Sequence, residues 1–539
     1  MRQRLFLIAL TVLGTVLPVF HPSSTAQVRF TPASSSEIDR ILQRGLDLER
    51  RRKWGDALTH YEDALRDHPN HPALQKRLDL SKIQYGVGRR YADESFLTCL
   101  RTLTEDEALE LYGEVLLKIQ SHYVDEPDWQ ALADLGTHGV KVALGNEDFA
   151  DRHLQNVPKE WTDNFLRDTR GRVEILGVRT RHDALETARL MGRLGRRHLG
   201  VAPTAVIMEY IHHAVVSLDP YSSYLTPRQL SELFSQIDGN FVGLGVELQS
   251  EDGYLMVVDV IEGSPAAESG LKAGDRILAA GGRSMKGLST DRAASMLQGS
   301  AGSIAQVSIQ SPNQPAREVR ITRRRIDVPS VEKVQIINRE LGVGYLELNN
   351  FQKTSPRELD KALWKLHRLG MRSLIMDLRG NPGGLLTTAV EVADRFIPSG
   401  RIVSTKGRSP DQNWTYSAHK SKTWQTPLIV LIDEDSASAA EIFAGAIRDH
   451  RRGYLIGRKS YGKGSVQSIF SLTTAKSGLR LTTAKFYSPT GRAYSKVGVT
   501  PHITVRTAAK PVNGRVQPPV SLSEDPAVKE SVRVARERF

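Results

Sequence analysis

The chain has 539 residues, of which 40% are hydrophobic and 25% charged, a composition typical of a globular protein with several domains. Its net charge of +12 suits an anionic partner, but the basic residues are mostly scattered and no zinc-finger or RNA-binding signature accompanies them, so a solvated basic surface is the simpler interpretation. The single cysteine, Cys99, excludes an intrachain disulfide and a multi-cysteine metal cluster, and we expect a buried, inert thiol there.

Residues 1–26 have the pattern of a secretory signal peptide. Arg2 and Arg4 precede an apolar stretch from Leu5 to Phe20, and small residues ending at Ala26 offer a cleavage site. The apolar stretch is short for a transmembrane helix, which needs about 20 residues. We therefore expect an exported protein, periplasmic or extracellular, with a membrane tether as the alternative if the signal is not cleaved.

Residues 36–90 are predicted to form a helical hairpin followed by a capping helix over Pro72–Gly86. Small, aromatic and helix-breaking residues occur where a tetratricopeptide repeat has them, namely at Gly45, Leu48, Ala57, Tyr61, Ala64 and Pro69. A single repeat cannot bury its own face. Two interpretations stay open: a repeat that binds an adaptor or a second copy of the chain, and a plain hairpin packed on the rest of the protein.

Residues 100–232 are predicted to be a helical segment with a polar insertion. Periodic apolar residues indicate helices over 105–149 and 204–218. The stretch 152–200 is polar and basic, and we expect a loop or insertion there, with one helix near Asp183–Gly195. The histidines of this segment, including His212 and His213, lack the spacing and carboxylate of a metal site.

Residues 237–325 are predicted to be β-rich, with strands over 243–248, 255–260, 276–280 and 305–309. The run G-S-P-A-A-E-S-G-L-K-A-G-D-R-I-L at 263–278 resembles a PDZ domain. That resemblance implies a loop for a peptide's terminal carboxylate, formed by Phe241, Gly243, Leu244, Gly245 and Val246. The strand after the loop would offer an edge for an added peptide strand. The alternative is a β-rich domain with an ordinary turn.

Residues 326–507 are predicted to be an α/β core. Strands are expected over 343–348, 373–376, 428–432 and 454–456, helices over 356–369, 385–396 and 439–447, and a hairpin-like pair over 471–487. The motif D-L-R-G-N-P-G-G begins at Asp377, and its glycines allow tight turns close to a substrate. Residues 508–539 are expected to be a peripheral polar tail with a weak terminal helix.

Ser438 comes after the apolar strand at a predicted strand-to-helix turn, which would expose its hydroxyl beside free backbone N–H groups. Lys463 lies 25 residues later and Gln467 four residues after that, a spacing that lets both side chains share a site. There is no G-x-S-x-G elbow. The segment 457–463 nearly matches a phosphate-binding loop, but Gly464 stands where Ser or Thr is needed, which argues against a nucleotide hydrolase.

Together, S-A-S-A-A-E and G-K-G-S-V-Q resemble the carboxy-terminal processing proteases, the S41 serine peptidases with a Ser–Lys pair. Further pieces of the resemblance are L-D-P-Y-S-S-Y-L (218–225), F-V-G-L-G-V (241–246), G-Y-L-E-L-N-N-F (344–351) and D-L-R-G-N-P-G-G-L-L (377–386). It implies Ser438 as nucleophile, Lys463 as a base uncharged through burial, and Gln467 orienting the amine. The backbone N–H of Ala439, with that of Gly383 or Gly384, would form the oxyanion hole.

The resemblance implies a multidomain α/β fold: an amino-terminal helical repeat and segment, a β-rich PDZ domain and an S41 core. It implies an endopeptidase that cleaves proteins near apolar carboxy-terminal tails, with the PDZ domain binding the tail and gating the site. No cofactor, metal or nucleic acid is implied. Tyr221 replaces a frequent His, and Asp433-Glu434 a frequent Asn, which leaves substrate preference open. The alternative is a non-catalytic PDZ and repeat scaffold of the cell envelope.

Overall fold

The computed structural model describes residues 5–6, 35–69, 71–251, 254–286, 288, 293, 296–419, 423–505 and 521–539. Apart from residues 5–6, the predicted signal peptide lies outside the described residues. In the part of the chain that is described, no helix is both long and apolar enough to cross a membrane.

Residues 35–237 are mainly helical, whereas strands predominate in the described parts of residues 238–539. The helices are Ser35–Arg50, Trp54–Asp67, Pro72–Tyr91, Glu94–Thr102, Glu105–His122, Trp129–Leu144, Glu147–His153, Lys159–Leu176, Arg181–Leu199, Pro203–Val216, Pro227–Ile237, Pro265–Glu268, Ser355–Arg368, Leu386–Asp394, Ala439–Asp449 and Pro526–Arg538, with a 3₁₀ turn at Pro410–Gln412. The strands are Leu5–Phe6, Ser223–Leu225, Asn240–Gly243, Val246–Glu251, Tyr254–Val260, Arg276–Ala280, Arg283–Ser284, Ile304–Gln310, Arg317–Thr322, Arg324–Asp327, Val331–Asn338, Val343–Leu348, Ser373–Asp377, Gly400–Gly407, Thr415–Ala418, Leu428–Ile432, Gly453–Gly457, Ser465–Ser471, Gly478–Tyr487 and Ile503–Thr504.

The first three helices form the amino-terminal unit (residues 35–91), a hairpin plus a third helix as the sequence predicts. Gly45 permits the close packing of the hairpin, because a Cβ there would lie 2.2 Å from Tyr61 Cζ. The Tyr61 hydroxyl donates to Glu49 Oε1 at 2.7 Å. A buried ion pair, Arg90 Nη2 to Glu209 Oε2 at 2.6 Å, fixes the third helix to the helical segment. Binding of a partner by this unit stays a prediction.

The helical segment is largely helical through the stretch 152–200, so the predicted loop is wrong there. Among the side chains of the helix Lys159–Leu176 that the structure describes, Phe165 and Thr169 are buried, and the largely polar and charged sequence of this helix hides its periodicity. The helix Arg181–Leu199 has the capping box expected of an amino terminus, since Thr180 and Asp183 exchange side-chain and backbone hydrogen bonds. Cys99, on the helix Glu94–Thr102, is buried in the apolar core of the helical segment. Burial raises the pKa of its thiol, as expected of an inert thiol.

The β-rich domain contains one antiparallel sheet in which Leu5–Phe6, Val246–Glu251 and Tyr254–Val260 are successive neighbours. A separate two-stranded ribbon, Asn240–Gly243 with Arg324–Asp327, carries the chain into and out of this domain. The observed strands match the predicted ones within a few residues.

The central sheet of the core has the strand Val331–Asn338 antiparallel at its edge and five further strands parallel to one another. Helices on one face of the sheet include Ala439–Asp449, here called the serine helix. Strand Leu428–Ile432 is buried at every position, which explains its uninterrupted apolar sequence.

The other face of the central sheet packs against Pro526–Arg538, here called the carboxy-terminal helix. Its buried side chains include Ala527, Val528 and Val534, which share one apolar cluster with Ile375 and Leu431 of the sheet. The predicted peripheral tail is therefore wrong for this helix. Its apolar residues are few and small, so the sequence alone does not show that they complete a core.

A second, antiparallel sheet contains the strands Ser465–Ser471 and Gly478–Tyr487, here called the lysine hairpin because it begins just after Lys463. Strand Ser223–Leu225 of the helical segment pairs with the hairpin's second strand. Leu479 and Leu481 pack into the core of the helical segment. The helical segment and Lys463 are thus fixed relative to each other.

Candidate active site

Ser438 lies at the turn between the buried strand Leu428–Ile432 and the serine helix, as predicted. Its backbone has φ +55° and ψ −115°, a conformation that non-glycine residues rarely adopt. Such strain costs about 1–3 kcal/mol and is found mainly where function requires it. The turn presents the side chain at the amino-terminal end of the helix, where N–H groups are free to meet developing negative charge.

Glu441 connects the backbone at Ser438 to the loop that carries Lys463, a role that the sequence motifs do not predict. Its buried carboxylate accepts four hydrogen bonds: Ser438 N and Lys463 N on Oε2, both at 2.8 Å, and Ser460 Oγ at 2.6 Å and Gly462 N at 2.7 Å on Oε1. The backbone nitrogens of Ser438 and Lys463 thus lie within two hydrogen-bond lengths of each other. The signal was present in the sequence, since Ser438-Ala-Ala-Glu441 has the S-x-x-E pattern of a capping box.

Burial raises the pKa of Glu441 to about 7, against the opposing effect of the hydrogen bonds that it accepts. The carboxylate form is the one that suits four donors. Glu441 is therefore a structural acceptor whose protonation in mildly acidic solution would weaken the bonds that hold Ser438 and Lys463 together.

Lys463 lines the same cavity as Ser438, and its role as the base stays a prediction. Its pKa is lowered to about 8, first by burial and then by the charge of Arg480, while Glu441 and Asp219 act in the opposite direction. The Nζ atom lies 4.7 Å from the centre of the Tyr221 ring, over its face. A minor but much enlarged fraction of the amine is consequently uncharged near neutral pH.

Gln467 lies in the same cavity, but its amide is directed to other partners. Nε2 donates to Ser465 Oγ at 2.9 Å and to Thr482 Oγ1 at 3.2 Å. Thr482 Oγ1 in turn donates to Asp219 Oδ1 at 3.0 Å. The predicted orientation of the lysine amine by Gln467 stays a prediction.

The glycine turn (residues 378–385) packs directly against the serine. A Cβ on Gly383, whose φ is +107°, would lie 2.8 Å from Ser438 Cβ, so only glycine fits there. The Gly383 N–H already donates to Asn381 Oδ1 at 2.8 Å, which favours Gly384 over Gly383 in the predicted oxyanion hole; that role of Gly384 and Ala439 stays a prediction. Ala437 N donates to Asn381 O at 2.9 Å and ties the serine loop to the turn.

Tyr221, which the sequence marked only as a departure from the family, covers Lys463. Asp219 fixes its loop by accepting from Tyr221 N at 2.7 Å and Ser222 N at 3.0 Å. Arg480 Nε donates to Tyr221 O at 3.0 Å, which places a guanidinium near the lysine. Arg480 carries no sequence signal for this role, because only the pairing of two distant strands brings it here.

A cavity of about 1880 Å³ is lined by Ser438, Lys463 and Gln467. Gly383, Gly384, Tyr221 and residues of the amino-terminal unit such as Lys82 line it as well. This space is large enough for a segment of polypeptide.

The five predicted peptide-binding residues lie together at the start of the β-rich domain, and none of them lines the cavity, although Asn240, next to Phe241, does. Phe241, Leu244 and Val246 are buried in that domain's core, so their side chains support the loop. Gly245 has φ +84° and packs against Ser264, to which a Cβ would approach within 2.2 Å. The adjoining strand edge, where a peptide strand was expected, is paired with Leu5–Phe6. Peptide binding at this loop stays a prediction.

Comparison with known proteins agrees with the site. Residues 342–505 match the model of peptidase family S41, and residues 256–311 match the PDZ domain. The carboxy-terminal-processing protease of Bartonella bacilliformis is 38% identical over 307 residues, which cover 56% of this chain and 69% of that protein. The chain belongs to the carboxy-terminal-processing proteases. It is thus a serine peptidase with a PDZ domain.

Other members of the carboxy-terminal-processing proteases are also similar to the chain. A probable CtpA-like serine protease of Staphylococcus aureus is 33% identical over 291 residues, or 54% of this chain and 58% of that protein. Among solved structures, the photosystem II D1 C-terminal processing protease is 24% identical, with coverage of 74% of this chain and 92% of that one and a TM-score of 0.39. A TM-score of that size adds no weight to the assignment.

Proposed function

We propose that this carboxy-terminal-processing protease uses a Ser438–Lys463 dyad to cut proteins at or near their carboxy-terminal tails. The observation that carries the proposal is the single oxygen, Glu441 Oε2, that accepts the backbone N–H of both residues at 2.8 Å. Two hydrogen bonds to this one oxygen atom hold the backbones of Ser438 and Lys463 close together, although the residues are 25 positions apart in the sequence.

The chemistry follows from the protonation state of the lysine. Neutral Lys463 takes the proton of the Ser438 hydroxyl as Oγ attacks the scissile carbonyl carbon. The N–H groups of Ala439 and Gly384 stabilise the oxyanion, and the lysine ammonium then donates its proton to the departing amine. Lys463, neutral again, deprotonates a water that attacks the ester carbonyl; the bond from the acyl carbon to Ser438 Oγ then breaks, and the lysine ammonium returns the proton to Oγ.

The dyad is tested by cleavage of an unfolded protein that carries an apolar carboxy-terminal tail. We expect Ser438→Ala and Lys463→Ala to lose cleavage while retaining the thermal unfolding curve of the wild type. Lys459→Ala is the matched control, since Lys459 is an exposed lysine in the same loop. Cleavage that survives Ser438→Ala would refute the assigned nucleophile, and equal losses in both lysine variants would refute a specific role for Lys463.

We also propose that the PDZ domain binds the substrate's tail and controls access to the site. Support comes from its connection to the core. Lys353 Nζ pairs with Asp238 Oδ1 at 2.7 Å just before the ribbon, and Phe351, two residues earlier, forms a bridge with Gly384. A displacement of the ribbon by a bound tail would therefore reach the proposed oxyanion hole through few intervening contacts.

Gating is tested by adding a free peptide with an apolar carboxyl end to the wild-type enzyme. We expect hydrolysis of a small ester to increase with peptide concentration and to saturate. The same peptide with an amidated end is the control, because it lacks the carboxylate that the loop would bind. Stimulation that is equal for both peptides, or absent, would contradict gating.

Two further roles are proposals drawn from the sequence. The signal-peptide pattern supports export, and the mature protein should then begin after residue 26, which sequencing of its amino terminus would show. The amino-terminal unit is proposed to bind an adaptor or a second copy of the chain. Sedimentation with and without residues 27–90 would reveal loss of an assembly if the second copy is the partner.

A further inference from the structure

Arg379 is the second residue of the glycine turn, and its guanidinium joins two separate parts of the chain. Nε and Nη2 donate to the Asp377 carboxylate at distances of 2.6–3.0 Å, while Nη1 donates to Asp525 Oδ2 at 2.8 Å. The three side chains are largely withdrawn from solvent, with exposures of 20% for Arg379, 5% for Asp377 and 18% for Asp525. Water therefore competes only weakly for these bonds.

Asp525 is the residue before the carboxy-terminal helix and uses its two oxygens for different purposes. Oδ1 accepts from Ala527 N at 2.8 Å and Val528 N at 3.2 Å, which caps the helix. Oδ2 binds Arg379. One carboxylate thus connects a helix that packs across the central sheet to the first residues of the glycine turn.

The glycine turn carries this connection to the nucleophile in a few steps. Gly380, next to Arg379, donates its N–H to Asp433 Oδ1 at 2.9 Å. Asn381 fixes the turn from inside, since its Nδ2 donates to Leu348 O at 2.6 Å and its Oδ1 accepts from Gly383 N. Gly383 then packs on Ser438. Each step is a hydrogen bond or a van der Waals contact between neighbouring residues.

We propose that Asp525 is a positioning residue for the peptidase reaction: through Arg379, the carboxy-terminal helix holds the glycine turn in the conformation that aims the Gly384 N–H at the oxyanion. The proposal deepens the proposed function and rests on it, because the turn is assigned to the oxyanion hole there. Asp525 does not line the cavity that contains Ser438 and Lys463, whereas Arg379 does. Its loss changes the geometry of the turn, and a displacement of oriented groups by about 1 Å can reduce the turnover rate by about 10²-fold.

The experiment separates this connection from the helix cap that the same residue provides. In full-length protein, Asp525→Asn keeps an Oδ1 acceptor for the cap but loses the charged bond to Arg379, and Asp525→Ser caps without reaching the guanidinium. Asp525→Ala loses both. Glu530→Gln is the matched control, since Glu530 forms an ion pair with the exposed Arg533 on the same helix.

Two readouts are compared for each variant: kcat and KM for a small ester, and hydrogen exchange of residues 378–385. We expect Asp525→Asn and Asp525→Ser to lower kcat about tenfold or more with KM nearly unchanged, and to speed exchange in the turn. Glu530→Gln should match the wild type in both. The proposal would be overturned if Asp525→Asn and Asp525→Ser match the wild type in kcat and in exchange. If only Asp525→Ala differs from the wild type, Asp525 is a helix cap only, and the proposal is overturned as well.

The two proposals fail in different ways. A wild-type protein that cleaves neither ester nor tailed protein would overturn the proposed function and with it a catalytic purpose for Asp525. The exchange comparison would still decide whether the carboxy-terminal helix restrains the turn. An active wild type with unaltered Asp525→Asn would overturn the positioning role alone.

Discussion

The pH dependence of turnover is the sharpest test of Lys463, because its pKa is lowered from the ordinary 10.5 to about 8. At pH 7 a lysine of pKa 8 is about 9% neutral, whereas one of pKa 10.5 is about 0.03% neutral. Burial and the Arg480 charge thus increase the supply of reactive base about 300-fold. Only the neutral amine can accept the serine proton, so activity should rise with pH.

The expected profile of kcat/KM for a small ester is a rise of about tenfold per pH unit below pH 7, steeper where Glu441 is also protonated, then an inflection near pH 8 and a plateau above it. An inflection near pH 7 would instead point to Glu441, whose pKa is raised to about 7 by burial. A flat profile between pH 6 and 9 would refute lysine as the base. Tyr221→Leu provides a directional check, because removing the ring face 4.7 Å from Nζ destabilises the ammonium and should move the inflection to lower pH.

Three further predictions concern packing around the site and in the amino-terminal unit. Gly383→Ala should abolish ester hydrolysis because its Cβ would lie 2.8 Å from Ser438 Cβ, whereas Gly370→Ala, with a similar φ of +88° but open space around it, should retain activity; equal activities would contradict the steric argument. Glu441→Gln should reduce activity strongly and lower the free energy of unfolding by about 1–3 kcal/mol, measured by denaturant titration, since a buried donor then faces a donor. Gly45→Ala should lower the free energy of unfolding of the amino-terminal unit by about 1–3 kcal/mol because its Cβ would clash with Tyr61. Gly113→Ala, which has open space around its Cβ, should not change it. Equal rates of limited proteolysis of this unit in the two variants would contradict the packing argument.

The sequence predicted most of the fold because its signals were local. Apolar runs such as Leu428–Ile432 and the glycine-rich motif at 377–384 encode a buried strand and a tight turn within a few residues. The helix Lys159–Leu176 and the packing of the carboxy-terminal helix were not predicted, because neither has a strong local signal. The first helix has a largely polar sequence and the second buries small side chains such as Ala527 and Val528, so their packing depends on neighbours far away in the chain.

The sequence by itself determined the peptidase family and the candidate pair Ser438 and Lys463, because motif order and spacing are properties of the chain. Only the tertiary structure decided what surrounds them: Glu441 bonded to both backbones, Tyr221 over the amine, and Asp525 tied to the glycine turn. The physical reason is that burial, and with it the pKa of an amine or a carboxyl group, depends on which distant strands and helices exclude water from the site.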